Sequence, residues 1–194
     1  MSELAERLAL LKQRLRSAYD GIGHSHGRPY VYVVYPPEQE LTLRRLVDDE
    51  LRSDAALTFV HLDILPVVMR STVNQEARRD ALLSDPVNGG GAAESLVRVW
   101  ARDIRGEIQQ RVEALHGANR PVVVLRGLAA LHPLGTPTGM MEALAEQEHR
   151  VPETNQIVPI VLLVPGIRSP QTSRQYLFLG LPHLAQSFYR GEEA

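Results

Sequence analysis

The chain contains no cysteine, and only one of its 21 lysine and arginine residues, Lys12, is a lysine. Without cysteine the chain cannot form disulfides, thiolate zinc sites or iron–sulfur clusters, and it has no cysteine nucleophile. A P-loop needs a lysine that reaches the β- and γ-phosphates of its nucleotide. Lys12 lies in an amphipathic N-terminal segment with no glycine before it, so the sequence excludes a Walker-type ATPase.

The chain also has little net charge and no long apolar run. The formal net charge is −2, which gives no bulk attraction for nucleic acid, and we do not expect direct nucleic-acid binding. No apolar run approaches the ~20 residues of a membrane span. Glu3, Glu6 and Arg7 place charges where a signal peptide would need an apolar core. We therefore expect a soluble, cytoplasmic protein without membrane contact.

What the sequence does contain is an alternation of strand-like and helix-like segments. Runs rich in β-branched and aromatic residues predict five strands, at 30–35, 57–62, 121–125, 158–164 (ended by Pro165-Gly166) and, as a short last strand, 176–179. The central runs are apolar on both faces, as buried parallel strands are. Apolar residues at helical spacing predict helices between them.

The sequence signal is clearer for some of these helices than for others. Leucines from Leu4 to Leu15 predict an N-terminal helix, and a second helix follows the Pro36-Pro37 turn. The region from about 66 to 83 looks helical but irregular, and 85–91 predicts a loop. The longest helix runs from about 97 to 115 with Gly117 as its cap, and Thr136-Pro137 starts the last one. The pattern predicts one α/β domain over residues 1–194.

The predicted architecture is a three-layer sandwich with a mostly parallel central sheet of about five strands. It would be Rossmann-like, or P-loop-like in a degenerate form without Walker motifs. The leucine stripe of the first helix could dock on a partner helix, but packing on its own domain is the favoured interpretation. Met140 and Met141 are likewise expected in the core.

Ligands of open parallel sheets collect at the carboxyl ends of the strands. The polar or conformationally special residues predicted near those ends are Tyr35, Glu38, His61, Asp63, Arg126, Gly127, His132, Pro165, Gly166 and Arg168. They include no carboxylate pair at convincing spacing. Arg126 stands where a P-loop enzyme often has an acidic residue for Mg²⁺, which disfavours even a degenerate magnesium NTPase.

Several patterns allow both a functional and a structural interpretation, and the structural one is favoured for each. The glycines at 89–91 could cradle an anion or form a loop before a helix. His24 and His26 could bind a metal or lie in a loop. His61 and Asp63, on one face of a strand, could act as ligands or form a hydrogen-bonded pair. No serine lies in a nucleophile elbow. We assign no catalytic, cofactor-binding or metal-binding residue and expect no enzyme activity.

Four short stretches in the second half of the chain appear in a particular order. They are the "G…HPL" of 127–134, the "VPG" of 164–166, the "FLG" of 178–180 and the "YRGE" of 189–192. With the strand, proline turn and acidic residue of 30–38, this order resembles the BrxB family, a small component of BREX bacteriophage-exclusion systems. The resemblance covers about half of the chain. The family has an aromatic residue before Pro165, where this chain has Val164.

The resemblance implies a role in phage resistance and not an enzymatic activity. The expected partner is PglZ, a protein of the alkaline phosphatase superfamily, beside an adenine methyltransferase and a large ATPase. Cofactors are not expected. Because Tyr189 and Arg190 form the aromatic–arginine pair typical of interface hot spots, we expect them to contact the partner, and Arg168 and Arg174 could join them. The alternative for Tyr189 and Arg190 is a structural role, and for Arg168 and Arg174 a solvated loop is the favoured interpretation.

Two other functions remain open at this point. One is a nucleotide- or phosphate-binding regulatory domain without hydrolysis, suggested by the α/β pattern and by arginines near strand ends. The other is a cryptic hydrolase that would use His61, Asp63 or His132.

Overall fold

The computed structural model describes residues 3–19, 30–85, 87, 90–115, 120–170, 172, 175–188 and 191–193. Its helices are α1 (Glu3–Tyr19), α2 (Glu40–Glu50), α3 (Ile64–Ser71), α4 (Glu76–Ser84), α5 (Gly90–Glu113) and α6 (Pro137–Leu144). Its strands are β1 (Tyr30–Tyr35), β2 (Thr58–Asp63), β3 (Pro121–Arg126), β4 (Ile160–Arg168), β5 (Tyr176–Phe178), β6 (Ala185–Gln186) and β7 (Gly191–Glu193). Short 3-10 helices occupy Pro37–Gln39, Leu128–Leu131 and Pro182–Leu184.

A mostly parallel sheet forms the centre of the protein. Its main path has the order β2-β3-β4-β1-β7, and every pairing along it is parallel. In the Rossmann and flavodoxin-like orders β1 and β2 are neighbours, whereas here β3 and β4 separate them. β5 and β6 extend the far end of β4 by antiparallel pairing.

Helices cover both faces of this sheet, which confirms the predicted three-layer α/β architecture. The leucines of α1 and the apolar stripe of α2 pack on one face, against residues such as Val33, Phe59 and Val124. α3, α5 and α6 pack on the other face, against residues such as Leu62 and Leu162. The N-terminal leucine stripe thus packs on its own sheet, as favoured from the sequence. Met140 and Met141 are fully buried, as expected.

The ends of several elements differ from the sequence expectation. β4 continues through Pro165-Gly166 to Arg168, because its pairing with β1 ends at Pro165 and its pairing with β5 begins at Gly166. The missing N–H of Pro165 therefore falls where the strand changes partner. α5 begins at Gly90, so the predicted loop at 85–91 is shorter than expected. Gly117, its predicted cap, lies outside the described residues.

The irregular helical region resolves into two helices separated by a turn. α3 begins directly after β2, with Asp63 as its N-cap. Pro66 is tolerated in its first turn because the N–H groups there have no partner within the helix. Asn74, with φ of 65°, lies in the turn before α4. None of the described helices combines the length and the apolar composition needed to span a bilayer.

Candidate functional site at the carboxyl edge of the sheet

The carboxyl ends of β1, β2 and β3 lie at one edge of the sheet, since these strands run parallel. Tyr35, Asp63 and Arg126 are the last residues of the three strands. The sequence predicts all three near strand ends, although it ends the second and third strands one residue earlier. The structure adds three side chains of α2 to them. These are Glu40, Arg44 and Asp48, which sequence reasoning did not identify.

Tyr35, Glu40, Arg44 and Asp63 form a connected set that we call the carboxyl-edge network. The Arg44 guanidinium donates from Nε to Glu40 Oε1 at 2.6 Å and from an Nη to Asp63 Oδ2 at 2.7 Å. The Tyr35 hydroxyl donates to the other oxygen of Glu40. Burial, followed by the hydrogen bond to Glu40, raises the pKa of Tyr35 above its ordinary value. The phenol therefore stays protonated at neutral pH and acts as a donor.

Asp63 also connects β2 to α3. Its Oδ1 accepts a hydrogen bond from the Leu65 N–H at 3.1 Å, which caps the first turn of the helix. Gly127, just after β3, lies directly against the same carboxylate. Its φ of 77° is in the left-handed region, and a side chain there would overlap Asp63. The glycine of the "G…HPL" stretch is thus explained by local packing.

Arg126, at the end of β3, is held by α2. Its guanidinium donates to Asp48 Oδ1 at 2.9 Å. The position that would carry a magnesium-binding acid in a P-loop enzyme therefore carries a cation engaged with a helix. Within the described part of the chain, no three histidine, aspartate or glutamate side chains lie close enough to bind one metal ion.

His61 and Asp63 lie on the same face of β2 but do not form the hydrogen-bonded pair that the sequence suggests. His61 Nε2 lies 3.1 Å from the Leu51 carbonyl oxygen at the end of α2, whereas Asp63 pairs with Arg44. Burial lowers the pKa of His61, and the nearby positive charge of Arg126 lowers it further. Residues two apart on a strand lie on the same face of the sheet. The partner of each side chain is nevertheless determined by α2, which packs on that face.

Two other residues predicted near strand ends, His132 and Gly166, lie against β5. His132 is exposed, precedes a cis proline and makes an edge contact with the Phe178 ring at a centroid distance of 6.4 Å. Gly166 pairs with Phe178 in the β4–β5 ladder. A side chain at Gly166 would lie 2.7 Å from the Leu177 carbonyl oxygen, so the close approach of β5 requires glycine here.

Of the four residues predicted to contact a partner, one lies in the described part of the chain. Arg168, at the end of β4, pairs with Glu193 Oε1 of β7 at 2.7 Å, and its side chain is 58% exposed. Tyr189, Arg190 and Arg174 lie outside the described residues, as do His24, His26 and Gly89. Arg168 therefore combines a structural ion pair with an accessible guanidinium.

The missed residues of α2 had a recognisable signal. Glu40, Arg44 and Asp48 follow one another at a spacing of four and so lie along one helix face. That face is polar beside the buried stripe of Leu43 and Val47. It was not recognised as part of a site because the sequence does not show that it faces the ends of β2 and β3.

Arg44 donates to both carboxylates of the carboxyl-edge network, and the side chains of Glu40, Arg44 and Asp63 are between 26% and 31% exposed. One guanidinium and two carboxylates leave the network with an excess of one negative charge. A general base must be available to accept a proton from a substrate, but both carboxylates already accept from Arg44.

Comparisons of the chain with protein-family models, curated proteins and solved structures found no match.

Proposed function

We propose that this protein is a non-enzymatic adaptor of a bacterial BREX anti-phage complex and that it binds a PglZ-like protein of the alkaline phosphatase superfamily. The observation that carries the proposal is the ordered set of stretches that resembles the BrxB family. It is a proposal about the cellular role, since the fold by itself specifies no function.

Three of those four stretches are neighbours in the fold. "G…HPL" contacts "FLG" through the His132 and Phe178 rings. "VPG" contacts "FLG" through the hydrogen bond from Leu179 N–H to the Pro165 carbonyl, 2.9 Å long. Gly191, from "YRGE", pairs with Tyr30 of the N-terminal stretch. The first three stretches therefore lie together where β4 meets β5, whereas Gly191 lies at the opposite end of β1.

The carboxyl-edge network disfavours one form of each rival function. A cryptic hydrolase based on Asp63 would have to release that carboxylate from Arg44 and from the cap of α3. A phosphate site after β1 would meet Pro36 and Pro37, which have no N–H to donate, and the acidic Glu38. A hydrolase based on Asp63 and a phosphate site directly after β1 would therefore both require rearrangement of this edge.

The test is co-purification of tagged protein with a co-expressed PglZ-like partner. We expect the wild-type pair to co-elute and Arg190→Glu to abolish co-elution while circular dichroism stays unchanged. Arg168→Gln and Glu193→Gln both break the ion pair between Arg168 and Glu193, but only the first removes the guanidinium. Glu193→Gln also removes the contact of Glu193 with Arg7, so it is the more disruptive control. If Arg168 contacts the partner, Arg168→Gln will weaken co-elution and Glu193→Gln will not.

Other results have definite meanings. If the wild-type protein repeatedly purifies alone, the adaptor proposal is wrong and a nucleotide panel by calorimetry becomes the next experiment. If all variants co-elute equally, the partner is right and the predicted contact residues are wrong.

A further inference from the structure

A groove of about 490 Å³ runs between α3 and α5, on the side of the sheet away from α1 and α2. Its walls include Arg70 and Ser71 from α3 and Arg102, Asp103 and Glu107 from α5. The groove is separate from the carboxyl-edge network, and no contact of that network explains it.

The α5 wall has an exposed row at a spacing of four residues. The row consists of Arg98, Arg102, Gly106 and Gln110. At a rise of 1.5 Å per residue it extends for about 18 Å. Rows of this spacing are the ridges that pack into grooves when one helix crosses another.

Gly106 is the unexpected member of this row. Glycine in a helix interior is less stable than alanine, yet a Cβ at Gly106 would meet no atom within 4 Å. Packing among the described residues therefore does not require glycine here. A glycine on an exposed ridge allows another backbone to approach closely, and this would account for it.

The positively and negatively charged side chains of the groove differ in their exposure to solvent. Arg70 donates to Glu107 at 2.6 Å and Arg102 pairs with Asp103 at 2.9 Å. The arginine side chains are 60% and 71% exposed, whereas the two carboxylates are 27% and 31% exposed. The groove thus presents guanidinium groups outward, above its less exposed carboxylates. Arg98, one turn before Arg102 on α5, is a further exposed arginine.

We propose that the α3–α5 groove binds an acidic helix of a partner protein, which crosses α5 at Gly106 and places its carboxylates beside Arg102 and Arg70. This inference rests on the proposed adaptor function for the existence of a protein partner. A helix fits the observations better than a nucleic-acid backbone does, because the ridge at a spacing of four residues and the open approach at Gly106 suit the packing of a second helix.

The test uses a defined probe and no BREX protein, so its failure leaves the co-purification result untouched. The probe is an alanine-based helical peptide of about 18 residues that carries Glu, Ala and Glu at a spacing of four on one face. Its counterpart has Lys in place of Glu. We expect the acidic peptide to shift the amide resonances of Ser71 and of α5 around Gly106, and the basic peptide to leave them unchanged.

Variants of the chain sharpen the result. Gly106→Leu should weaken binding of the acidic peptide at least about tenfold, because the leucine side chain blocks close approach of the peptide backbone. Gln13→Leu adds the same side chain at an exposed position of α1, on the opposite face of the sheet, and should bind like the wild type. Gly106→Ala should raise Tm by about 2 °C, because alanine is more stable than glycine in a helix interior. Arg102→Glu should abolish binding of the acidic peptide.

Three results would overturn the proposal. They are equal shifts with both peptides, shifts that map outside the groove, and full binding by Gly106→Leu. Absence of any shift at millimolar peptide would do the same. Stronger shifts of the same amides with duplex DNA than with the acidic peptide would replace the partner helix by nucleic acid.

Discussion

At the scale of single residues, Asp63 holds together three elements. It ends β2, caps α3 through Leu65 and pairs with Arg44 of α2. We expect Asp63→Ala to lower the free energy of unfolding by about 1–2 kcal/mol, because a lost N-cap costs about 1 kcal/mol and a partly exposed ion pair contributes up to about 1 kcal/mol. Urea unfolding at neutral pH measures this difference.

Asp63→Asn is the matched control for this substitution. The Asn side chain keeps an oxygen that can cap α3 but loses the charge that faces Arg44, so its loss should be about 1 kcal/mol or less. A loss equal to that of Asp63→Ala would mean that the ion pair, and not the cap, dominates. No loss in either variant would contradict the structural role of the carboxyl-edge network.

The sequence predicted which strand-end residues lie at this edge but not what they contact. Tyr35, Asp63 and Arg126 follow from strand assignment, because parallel strands bring their carboxyl ends together. Their partners lie on α2, and the rotation of a helix above a sheet depends on packing of distant residues. Local pattern therefore suggested a bond between His61 and Asp63, while the helix provides Leu51 to one and Arg44 to the other.

At the scale of elements, the predicted strands and most helices agree with the structure wherever one apolar pattern dominates. β1, which is apolar throughout, matches its predicted bounds. Disagreement arises where tertiary pairing overrides a local signal. Pro165-Gly166 reads as a strand end, yet β5 extends the strand beyond it. β6 and β7 are two and three residues long, too short for a periodic pattern to reveal.

The segment between α6 and β4 contains a buried histidine, His149. His149 is 3% exposed, and its carbonyl accepts from the Val158 N–H at 2.8 Å. Burial, followed by the nearby charge of Arg105, lowers the pKa of His149 from 6.5 to about 4. The neutral ring is therefore the form that the folded protein accommodates.

This shift predicts how stability depends on pH. Because the unfolded chain binds the proton more tightly, the stabilisation is complete above pH 6.5 and is lost as the pH falls toward about 4. We expect His149 to account for a loss of about 2 kcal/mol between about pH 7.5 and about pH 5. His61, whose pKa is lowered in the same direction, adds to the loss. Urea unfolding at the two pH values measures it.

His149→Gln should remove the His149 share of this pH dependence, whatever its effect on stability at neutral pH. His183→Gln changes an exposed histidine and should leave the wild-type dependence intact. If His149→Gln loses as much stability on acidification as the wild type does, the ring is not held neutral as proposed.

At the scale of the whole molecule, the two ends of the sheet are protected in different ways. On the β2 side, Ser53 accepts from the Phe59 N–H at 2.9 Å and Arg111 donates to the His61 carbonyl at 3.3 Å. These contacts occupy backbone groups that an edge strand would offer to another chain. On the other side, β7 covers β1 and carries two charged residues, Glu192 and Glu193.

β7 also connects parts of the chain that are distant in sequence. Glu193 accepts from Arg7 of α1 at 3.4 Å and from Arg168 of β4 at 2.7 Å. Arg14 of α1 pairs with Glu192 at 2.9 Å. α1 packs on the sheet face that includes Val33 of β1. β7 therefore covers the edge of the sheet at β1 and also holds α1 against it through these ion pairs.

Removal of residues 191–194 should therefore promote self-association. The deletion would uncover the backbone of β1 at Tyr30–Tyr32, whose sequence is apolar and rich in β-branched and aromatic residues. An uncovered edge strand of this kind pairs with other chains. Light scattering over a concentration series should show growth in mass for the truncated chain. The double substitution Glu192→Gln and Glu193→Gln removes the charges but keeps the strand, so it should stay closer to the wild type. Equal association of both variants would show that charge repulsion, and not coverage of β1, protects this edge.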